Sequence, residues 1–300
     1  MALTSLSARK AGGWAMLCRG ARVGQNASMI PALPHGVRDF LLELAPQAAA
    51  AALRYFRQPL AVENKASTRF DPVTAADREV EQLLRQSILA RYPDHAILGE
   101  EFGRRVGRSD WQWVIDPIDG TRAFISGIPT WATLIGLCLH DAPILGLMSQ
   151  PFTGEVFIGS AEGSEWRRGS ECRRLATRAT ATLDGASLFA TTPDMFSQPD
   201  EWAAFSRVSA AVRLTRFGAD AYAYCMLAAG HVDLVIEAGL GFYDIAALVP
   251  IIEGAGGVIT DWRGAPVRRG GRVLAAANPK LHASALALLA TSMTSEMETQ

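Results

Sequence analysis

The spacing of apolar residues predicts two helices near the beginning of the chain. Over residues 39–58 and again over residues 77–92, apolar side chains recur at intervals of three and four, which is the period of a helix with one buried face. In the second segment the apolar positions are Val80, Leu83, Leu84, Ile88 and Leu89. We expect both helices to pack one face against a core.

Shorter apolar runs then predict a region rich in strands. These runs cover residues 113–115, 133–139, 144–150 and 155–159, with a turn at 141–143. Further along, helices over residues 220–229 and 244–253 are expected to alternate with strands over residues 232–237 and 257–260. The whole pattern is typical of an α/β or α+β fold.

Composition narrows the class of protein. Of the 300 residues, 49% are hydrophobic, which is enough for a large core, and 29 basic residues against 30 acidic ones leave a net charge of −1. No apolar run reaches the roughly 18 residues that a membrane span needs. We therefore expect a cytoplasmic protein with no nucleic-acid partner and no membrane partner.

The first 28 residues differ from the rest of the chain. They contain Arg9, Lys10, Arg19 and Arg22 among Ser, Ala and Gly, and the first acid of the chain is Asp39. We expect residues 1–28 to be a disordered extension, with an organellar transit peptide as the alternative.

Two acids lie close together in the stretch DPIDGT, at Asp116 and Asp119. Carboxylates held so near each other repel unless a cation lies between them, and oxygen ligands of this kind suit Mg²⁺. The stretch therefore indicates a metal site at the end of a buried strand. The alternative is a pair of ordinary turns, because Asp-Pro and Asp-Gly are both common turn formers.

Three further acids lie outside DPIDGT, at two places in the sequence. Glu100 and Glu101 follow Gly99 upstream, and Asp244 follows Tyr243 downstream. Taken alone, the glutamate pair fits a solvated loop, and Asp244 fits the N-cap of the helix expected after it.

Together, GEE, DPIDGT and YDIAALVPIIEGAGG occur in an order that resembles the inositol monophosphatase-like family of Mg²⁺-dependent phosphatases, over about residues 39–289. The resemblance implies a layered αβαβα sandwich, two or three Mg²⁺ ions per site, a small phosphate monoester as substrate and a homodimer. One departure is Tyr243, which stands where many members carry Trp.

The resemblance also implies a role for each matching residue. The metal ligands would be the side chains of Glu100, Asp116, Asp119 and Asp244 and the carbonyl of Ile118, with Glu101 as the neighbouring acid. Residues 29–183 would then form an α+β half with most of the ligands, and residues 184–300 an α/β half that completes the site.

Other residues would handle water and phosphate. Glu100 and Thr121 would orient and help deprotonate the attacking water, and Asp77 would support Thr121. The amides of Gly120 and Thr121 would hold the phosphate oxygens if a helix begins there. Lys65 would lie near the metals, with an exposed cation as the alternative.

Three residues bear on the substrate. Arg122 in DGTRAF and Asp220 in FGADAYAYC resemble the histidinol-phosphatase branch of the family, and Glu237 matches the acid that reaches the non-phosphate part of the substrate. Asp220 and Glu237 would suit the cationic groups of L-histidinol phosphate. The alternatives are a surface cation for Arg122, an N-cap for Asp220 and a solvated carboxylate for Glu237.

Histidinol-phosphate phosphatase in histidine biosynthesis is therefore the expected activity. The alternative activities are an inositol-1-monophosphatase, a broad sugar phosphatase and, disfavoured by the match to the other branch, a 3′-nucleotidase. An alternative of another class is an inactive relative that binds phosphates for regulation.

Overall fold

Two helices form the first layer of the molecule. The structure is a computed structural model that describes residues 33–59, 61–64 and 72–290, so the predicted extension 1–28 and Lys65 lie outside the described residues. Helix α1 covers Val37–Leu53 and α2 covers Ala75–Arg91, and the two helices pack together against the first sheet. Between them, the two-residue strands β1 (Glu63–Asn64) and β2 (Pro72–Val73) pair antiparallel.

The second layer is an eight-stranded sheet. Its strands are β3 (Ala96–Gly99), β4 (Gly103–Arg105), β5 (Trp111–Asp119), β6 (Ala132–Leu139), β7 (Ala142–Gln150), β8 (Glu155–Ser160), β9 (Gly163–Arg168) and β10 (Glu171–Arg174). Their order is β10-β9-β8-β7-β6-β5-β3-β4, and β3 is parallel to β5 whereas the other pairs are antiparallel.

The fourth layer is a five-stranded sheet built from the second part of the chain. Its strands are β11 (Ser187–Ala190), β12 (Leu214–Phe217), β13 (Leu234–Leu240), β14 (Val258–Asp261) and β15 (Gly271–Ala276). Their order is β12-β11-β13-β15-β14.

The remaining helices fill the layers between and outside the sheets. After the short α3 (Thr121–Ile125), the helices are α4 (Pro199–Ala211), α5 (Asp220–Ala228), α6 (Leu248–Gly254) and α7 (Pro279–Ala290). Helices α5 and α6 contact both sheets, whereas α4 and α7 pack on the outer face of the second sheet. The order of layers is therefore α, β, α, β, α, which confirms the predicted sandwich.

One apolar core joins the two sheets. It contains Leu134 and Phe157 of the first sheet, Leu248 and Ile251 of the middle layer, and Val273 of the second sheet. The described residues from Pro34 onward form one compact unit. The division into halves at residue 183 stays a prediction.

The structure corrects several predicted boundaries. Strand β5 does not end at Ile115 but continues through Asp119, because it pairs with β6 on both sides of an irregularity. The turn predicted at 141–143 is shorter, since β7 already begins at Ala142. Helix α6 begins at Leu248 and not at Asp244, because residues 243–247 form turns before it.

Several elements were not predicted from the sequence. They are β1–β4, β9–β12, β15, α4 and α7. Strands such as β10 are exposed along their whole length, so they carry little of the apolar alternation that identifies a strand. None of the described helices is both long and apolar enough to cross a membrane.

Candidate active site

An extra residue in β5 brings two acids together. The partners of Asp116 and Asp119 on β6 are Leu134 and Ala132, so three steps along β5 match two steps along β6. In a regular strand, residues three apart point to opposite faces. The bulge adds one residue and turns both carboxylates toward the same site.

Asp244 completes a cluster with these two acids. One carboxylate oxygen from each of Asp116, Asp119 and Asp244 lies within 4.8 Å of the others. Asp244 follows β13 on a turn, where its Oδ2 accepts a hydrogen bond from the amide of Gly241 at 2.7 Å. The N-cap alternative for Asp244 is wrong, because Ala247 precedes the first residue of α6.

Glu100 joins the cluster from the turn after β3. Burial raises the pKa of Asp116 well above its ordinary value, and the nearby charges of Glu100, Asp119 and Asp244 raise it further. Burial and the charges of Asp220 and Asp244 likewise raise the pKa of Asp119. Four carboxylates from three separate segments therefore share one poorly solvated region.

This arrangement fits a hard divalent cation. Oxygen ligands with a net negative charge are what Mg²⁺ binds in proteins, and a cation between the carboxylates removes the repulsion that raises their pKa values. Ile118, whose carbonyl is the fifth predicted ligand, lines the same cavity, and this carbonyl accepts from the Thr121 hydroxyl at 3.2 Å. The donor set agrees with a metal site.

Thr121 lies at the junction of the acids and α3. Its hydroxyl is 3.2 Å from the Ile118 oxygen and 3.5 Å from Oδ1 of Asp77. Asp77 is fully buried, and its other oxygen accepts from the amide and hydroxyl of Thr74 at 2.9 and 2.6 Å, which completes a capping box at the start of α2. The capping box holds Asp77 in place beside Thr121.

Gly120 precedes Thr121 and begins the turn into α3. Its φ is 79°, in the left-handed region that favours glycine, and a Cβ there would lie 3.0 Å from the Cγ of Asp220. Thr121 is the first residue of α3, as the resemblance implied.

A cavity of about 740 Å³ opens over these residues. Among its lining residues are all four cluster acids together with Gly120, Thr121, Arg122, Asp220 and Glu237. Arg122 is exposed on the cavity wall. Glu101 does not belong to the cavity lining formed by the described part of the chain.

Asp220, the first residue of α5, lines the cavity. It accepts a hydrogen bond from the Thr130 hydroxyl at 3.2 Å, and its φ is 47°, which is unusual for a residue with a side chain. Asp220 follows the N-cap residue Ala219, and it is Asp119 that accepts from the amide of Ala221, at 2.8 Å. The N-cap alternative for Asp220 is therefore wrong. Burial raises the pKa of Asp220 to about 6, although Thr130 and Arg122 act in the opposite direction.

Glu237 lines the cavity and is 2% exposed, so the alternative of a solvated carboxylate is wrong. One oxygen accepts from the amide of Thr191 at 2.7 Å, and the other accepts from the Tyr224 hydroxyl at 2.9 Å. Burial raises the pKa of Glu237 to about 7, against the effect of these hydrogen bonds.

Sequence reasoning missed the groups that hold these acids. Tyr224 and Thr191 fix Glu237, and Glu81 contacts the turn that carries Glu100. Tyr224 gave no polar signal, because it lies among apolar residues. Glu81 did give one, because it is a charged residue one helical turn after Asp77 on the apolar face of α2.

Two sheets layered with helices, and a carboxylate cluster at their junction, define an α/β sandwich protein with a site able to hold a metal ion. Residues 34–294 match the inositol monophosphatase family. The chain belongs to that family and is a phosphatase of this type.

Individual relatives agree with this assignment. The chain is 44% identical to the bifunctional phosphatase IMPL2, chloroplastic, of Arabidopsis thaliana over 223 residues, which are 74% of this chain and 63% of that protein. It is 33% identical to the histidinol-phosphatase of Chlorobaculum parvum over 79% of this chain and 90% of that one. A solved inositol monophosphatase from Zymomonas mobilis superposes with a TM-score of 0.75 at 37% identity and covers 86% of this chain and 99% of its own. The names of the last two relatives refer to different substrates, because one is a histidinol-phosphatase and the other is an inositol monophosphatase.

The raised pKa of Glu237 predicts a pH effect on the metal-free protein. The folded state keeps the proton up to about pH 7, whereas an exposed glutamate loses it near 4.5. The associated stability is thus fully present below pH 4.5 and is lost as the pH rises through about 7, by at most about 3 kcal/mol. In Glu237→Gln this part of the pH dependence should disappear, as measured by urea unfolding from pH 4.5 to 8 in a chelator. An unchanged slope in the variant would contradict the prediction.

Proposed function

We propose that this protein is a Mg²⁺-dependent phosphatase whose substrate is L-histidinol phosphate, which it hydrolyses to L-histidinol and phosphate. Glu100, Asp116, Asp119, Asp244 and the Ile118 carbonyl would hold the metal. When bound, Mg²⁺ supplies charge stabilisation for the phosphate and makes water a better nucleophile. The family assignment and the carboxylate cluster support this chemistry.

The residues of the chain have defined tasks in this proposal. The amides of Gly120 and Thr121 bind the phosphate oxygens, and the Thr121 hydroxyl and Glu100 orient the attacking water, whose proton goes to the Glu100 carboxylate. The oxygen of the water bonds to phosphorus while the ester P–O bond breaks, and the departing alkoxide takes up a proton from a solvent water molecule to give the alcohol.

The position of Asp220 is the observation that favours a cationic substrate. Its carboxyl carbon lies close to Gly120, where a Cβ would be 3.0 Å away, and it lines the same cavity. An acid so close to a bound phosphate dianion is unfavourable unless a cation offsets it. Arg122 gives part of that compensation, and the ammonium or imidazolium group of histidinol phosphate supplies more. Glu237, which lines the same cavity, would bind the second cationic group.

A neutral polyol phosphate has no cation to offer these acids. Inositol 1-phosphate or a sugar phosphate is therefore the second candidate, supported by the solved inositol monophosphatase that this chain resembles. Phosphate release from L-histidinol phosphate and from myo-inositol 1-phosphate distinguishes the two. We expect kcat/KM to be about tenfold or more higher for histidinol phosphate, which is the effect of about one retained charge contact. A preference for the inositol ester would reject the assignment, and no release from any monoester with Mg²⁺ would favour the regulatory relative.

Asp220→Asn tests the charge argument directly. Asn tolerates the left-handed backbone of this position, so the variant removes the charge without adding backbone strain. We expect kcat/KM for histidinol phosphate to fall about 10–100-fold, while a generic aryl phosphate changes by less than about threefold. Asp184→Asn, an exposed acid outside the cavity, is the matched control. Equal losses on both substrates would contradict the proposal.

We also propose that the protein works as a homodimer, as the family resemblance implies, and in the cytoplasm, as expected from its composition. Light scattering should then give twice the 32.2 kDa of one chain. A mass of a single chain at micromolar concentration would reject the dimer.

A further inference from the structure

Glu81 is a fully buried carboxylate that none of the roles above uses. It lies on α2 one helical turn after Asp77, and its side chain has no solvent exposure. Burying an ionised carboxylate is costly unless several donors satisfy it. The contacts of Glu81 therefore indicate its role.

Three donors reach Glu81, and two of them belong to the turn that carries Glu100. The amides of Glu101 and Phe102 lie 2.7 and 3.2 Å from its oxygens, and Nε of Arg85 lies 2.6 Å away. Arg85 also donates to the carbonyl of Gly103 at the beginning of β4. The pair thus binds the whole turn between β3 and β4.

Gly99 makes this close approach feasible. A Cβ at Gly99 would lie 1.9 Å from Oε1 of Glu81, so any side chain there would displace the carboxylate. Glu100 directly follows, and its own amide donates to the carbonyl of Ile115 at 3.2 Å. The peptide of Glu100 is therefore fixed by β5 on one side and by Glu81 on the other.

Asp77 and Glu81 have parallel tasks on one face of α2. Asp77 contacts the Thr121 hydroxyl, and Glu81 holds the amide that follows Glu100. Glu100 and Thr121 are the two residues to which the proposed function gives the attacking water. The same helix therefore sets the positions of both.

We infer that Glu81 is a positioning residue for the metal site, which aims the Glu100 carboxylate at the metal through the amides of the GEE turn. This inference rests on the proposed metal-dependent function. When a residue that orients a metal ligand is replaced, metal affinity or activity usually falls by about 10–100-fold.

Glu81→Gln is the variant that tests it. The amide keeps one acceptor oxygen but turns an NH₂ group toward donors, so at least one contact with the turn or with Arg85 is lost. Mg²⁺ binding is measured by calorimetry and by the Mg²⁺ concentration that half-saturates the thermal shift. We expect the Mg²⁺ dissociation constant to rise about 10–100-fold.

Glu201→Gln is the matched control. Glu201 is also buried, and it also accepts from a backbone amide and from an arginine Nε, those of Gln198 and Arg272, at 2.9 Å each. It lies on α4, outside the cavity lining. We expect its variant to lose thermal stability while it keeps the wild-type Mg²⁺ dissociation constant within about twofold.

The outcomes separate this inference from the function on which it rests. A wild-type protein that does not bind Mg²⁺ overturns the metal site and the inference together. Wild-type binding with an unchanged constant in Glu81→Gln, or with equal shifts in both glutamine variants, overturns the role of Glu81 alone. If Glu81→Gln does not fold, Arg85→Lys serves instead, because lysine cannot keep both guanidinium contacts, and we then expect a rise of about 3–10-fold. No rise in that variant also overturns the inference.

Discussion

Asp116→Asn is expected to lower phosphate release about a thousandfold. Metal ions contribute several kcal/mol of charge stabilisation to such reactions, and each 1.4 kcal/mol is about tenfold in rate. Asp116 is one of the acids of the carboxylate cluster, and asparagine at this position removes one negative charge from the proposed metal ligands. In the wild type, Oδ1 of Asp116 accepts a hydrogen bond from the amide of Ile118 at 3.1 Å. The side-chain oxygen of asparagine can accept the same hydrogen bond, so the local backbone should keep its conformation.

The same substitution should stabilise the metal-free protein. Burial and neighbouring acids raise the pKa of Asp116, so its ionised form opposes folding above the ordinary pKa of an aspartate. Asn removes that penalty at pH 8, and Tm in a chelator should rise by about 2–4 °C for each kcal/mol recovered. Lower activity with higher metal-free stability is a combination that simple misfolding does not produce.

Phosphate release and thermal unfolding, each with and without Mg²⁺, measure both effects. Asp233→Asn is the control, because Asp233 is equally buried but is paired with Arg178 and accepts from the amide of Ser187 at 2.7 Å. Its loss should lower Tm and leave the stabilisation by Mg²⁺ intact. If Asp116→Asn lowered Tm in the same way and kept the Mg²⁺ effect, the acid would have a structural role only.

Thr121→Ala is expected to lower kcat about a hundredfold and to leave Mg²⁺ affinity nearly unchanged. The hydroxyl has one hydrogen, which donates to the Ile118 carbonyl or to Asp77, so its lone pairs remain available to accept from water. General-base assistance of this kind is worth about 10²–10⁴-fold. Thr121 is not among the side-chain ligands of the proposed site, so its loss affects the chemical step more than metal binding.

Thr121→Ser is the matched variant for this prediction. Serine keeps the hydroxyl and loses only a methyl group, so kcat should stay within about threefold of the wild type. Single-turnover phosphate release gives the chemical step, and calorimetry gives Mg²⁺ affinity. Equal losses in the Ala and Ser variants would mean that packing of the methyl group, and not the hydroxyl, is what matters.

The bulge in β5 explains why the acids of DPIDGT are a pair at all. The sequence shows their spacing, but it cannot show that β6 pairs with β5 on both sides of them. That pairing adds the extra residue which turns Asp116 and Asp119 to one side. The strand predicted to end at residue 115, before these acids, was therefore too short, although the acids that the motif identified do converge.

Asp220 and Glu81 show two ways in which the nearby sequence fails to predict the environment of a residue. The N-cap alternative for Asp220 followed from its place before an apolar helix, yet the amide of Ala221 is taken by Asp119 from a distant strand. Glu81 is not among the residues predicted for the site, because a charged residue on a helix usually faces solvent. Its burial depends on the GEE turn packing against α2, which helical periodicity does not describe.

The sequence by itself determined the identity of the acids, the helices α1, α2, α5 and most of α6, and an α/β or α+β class, whereas the layered sandwich was implied by the family resemblance. These depend on neighbouring residues: apolar period, turn residues and short motifs act over a few positions of the chain. Only the tertiary structure decided that Asp244 meets Asp116 and Asp119, that Asp220 enters the cavity and that Glu81 supports Glu100. Such convergence is set by packing between layers whose residues are far apart in the chain, and local preferences carry no information about it.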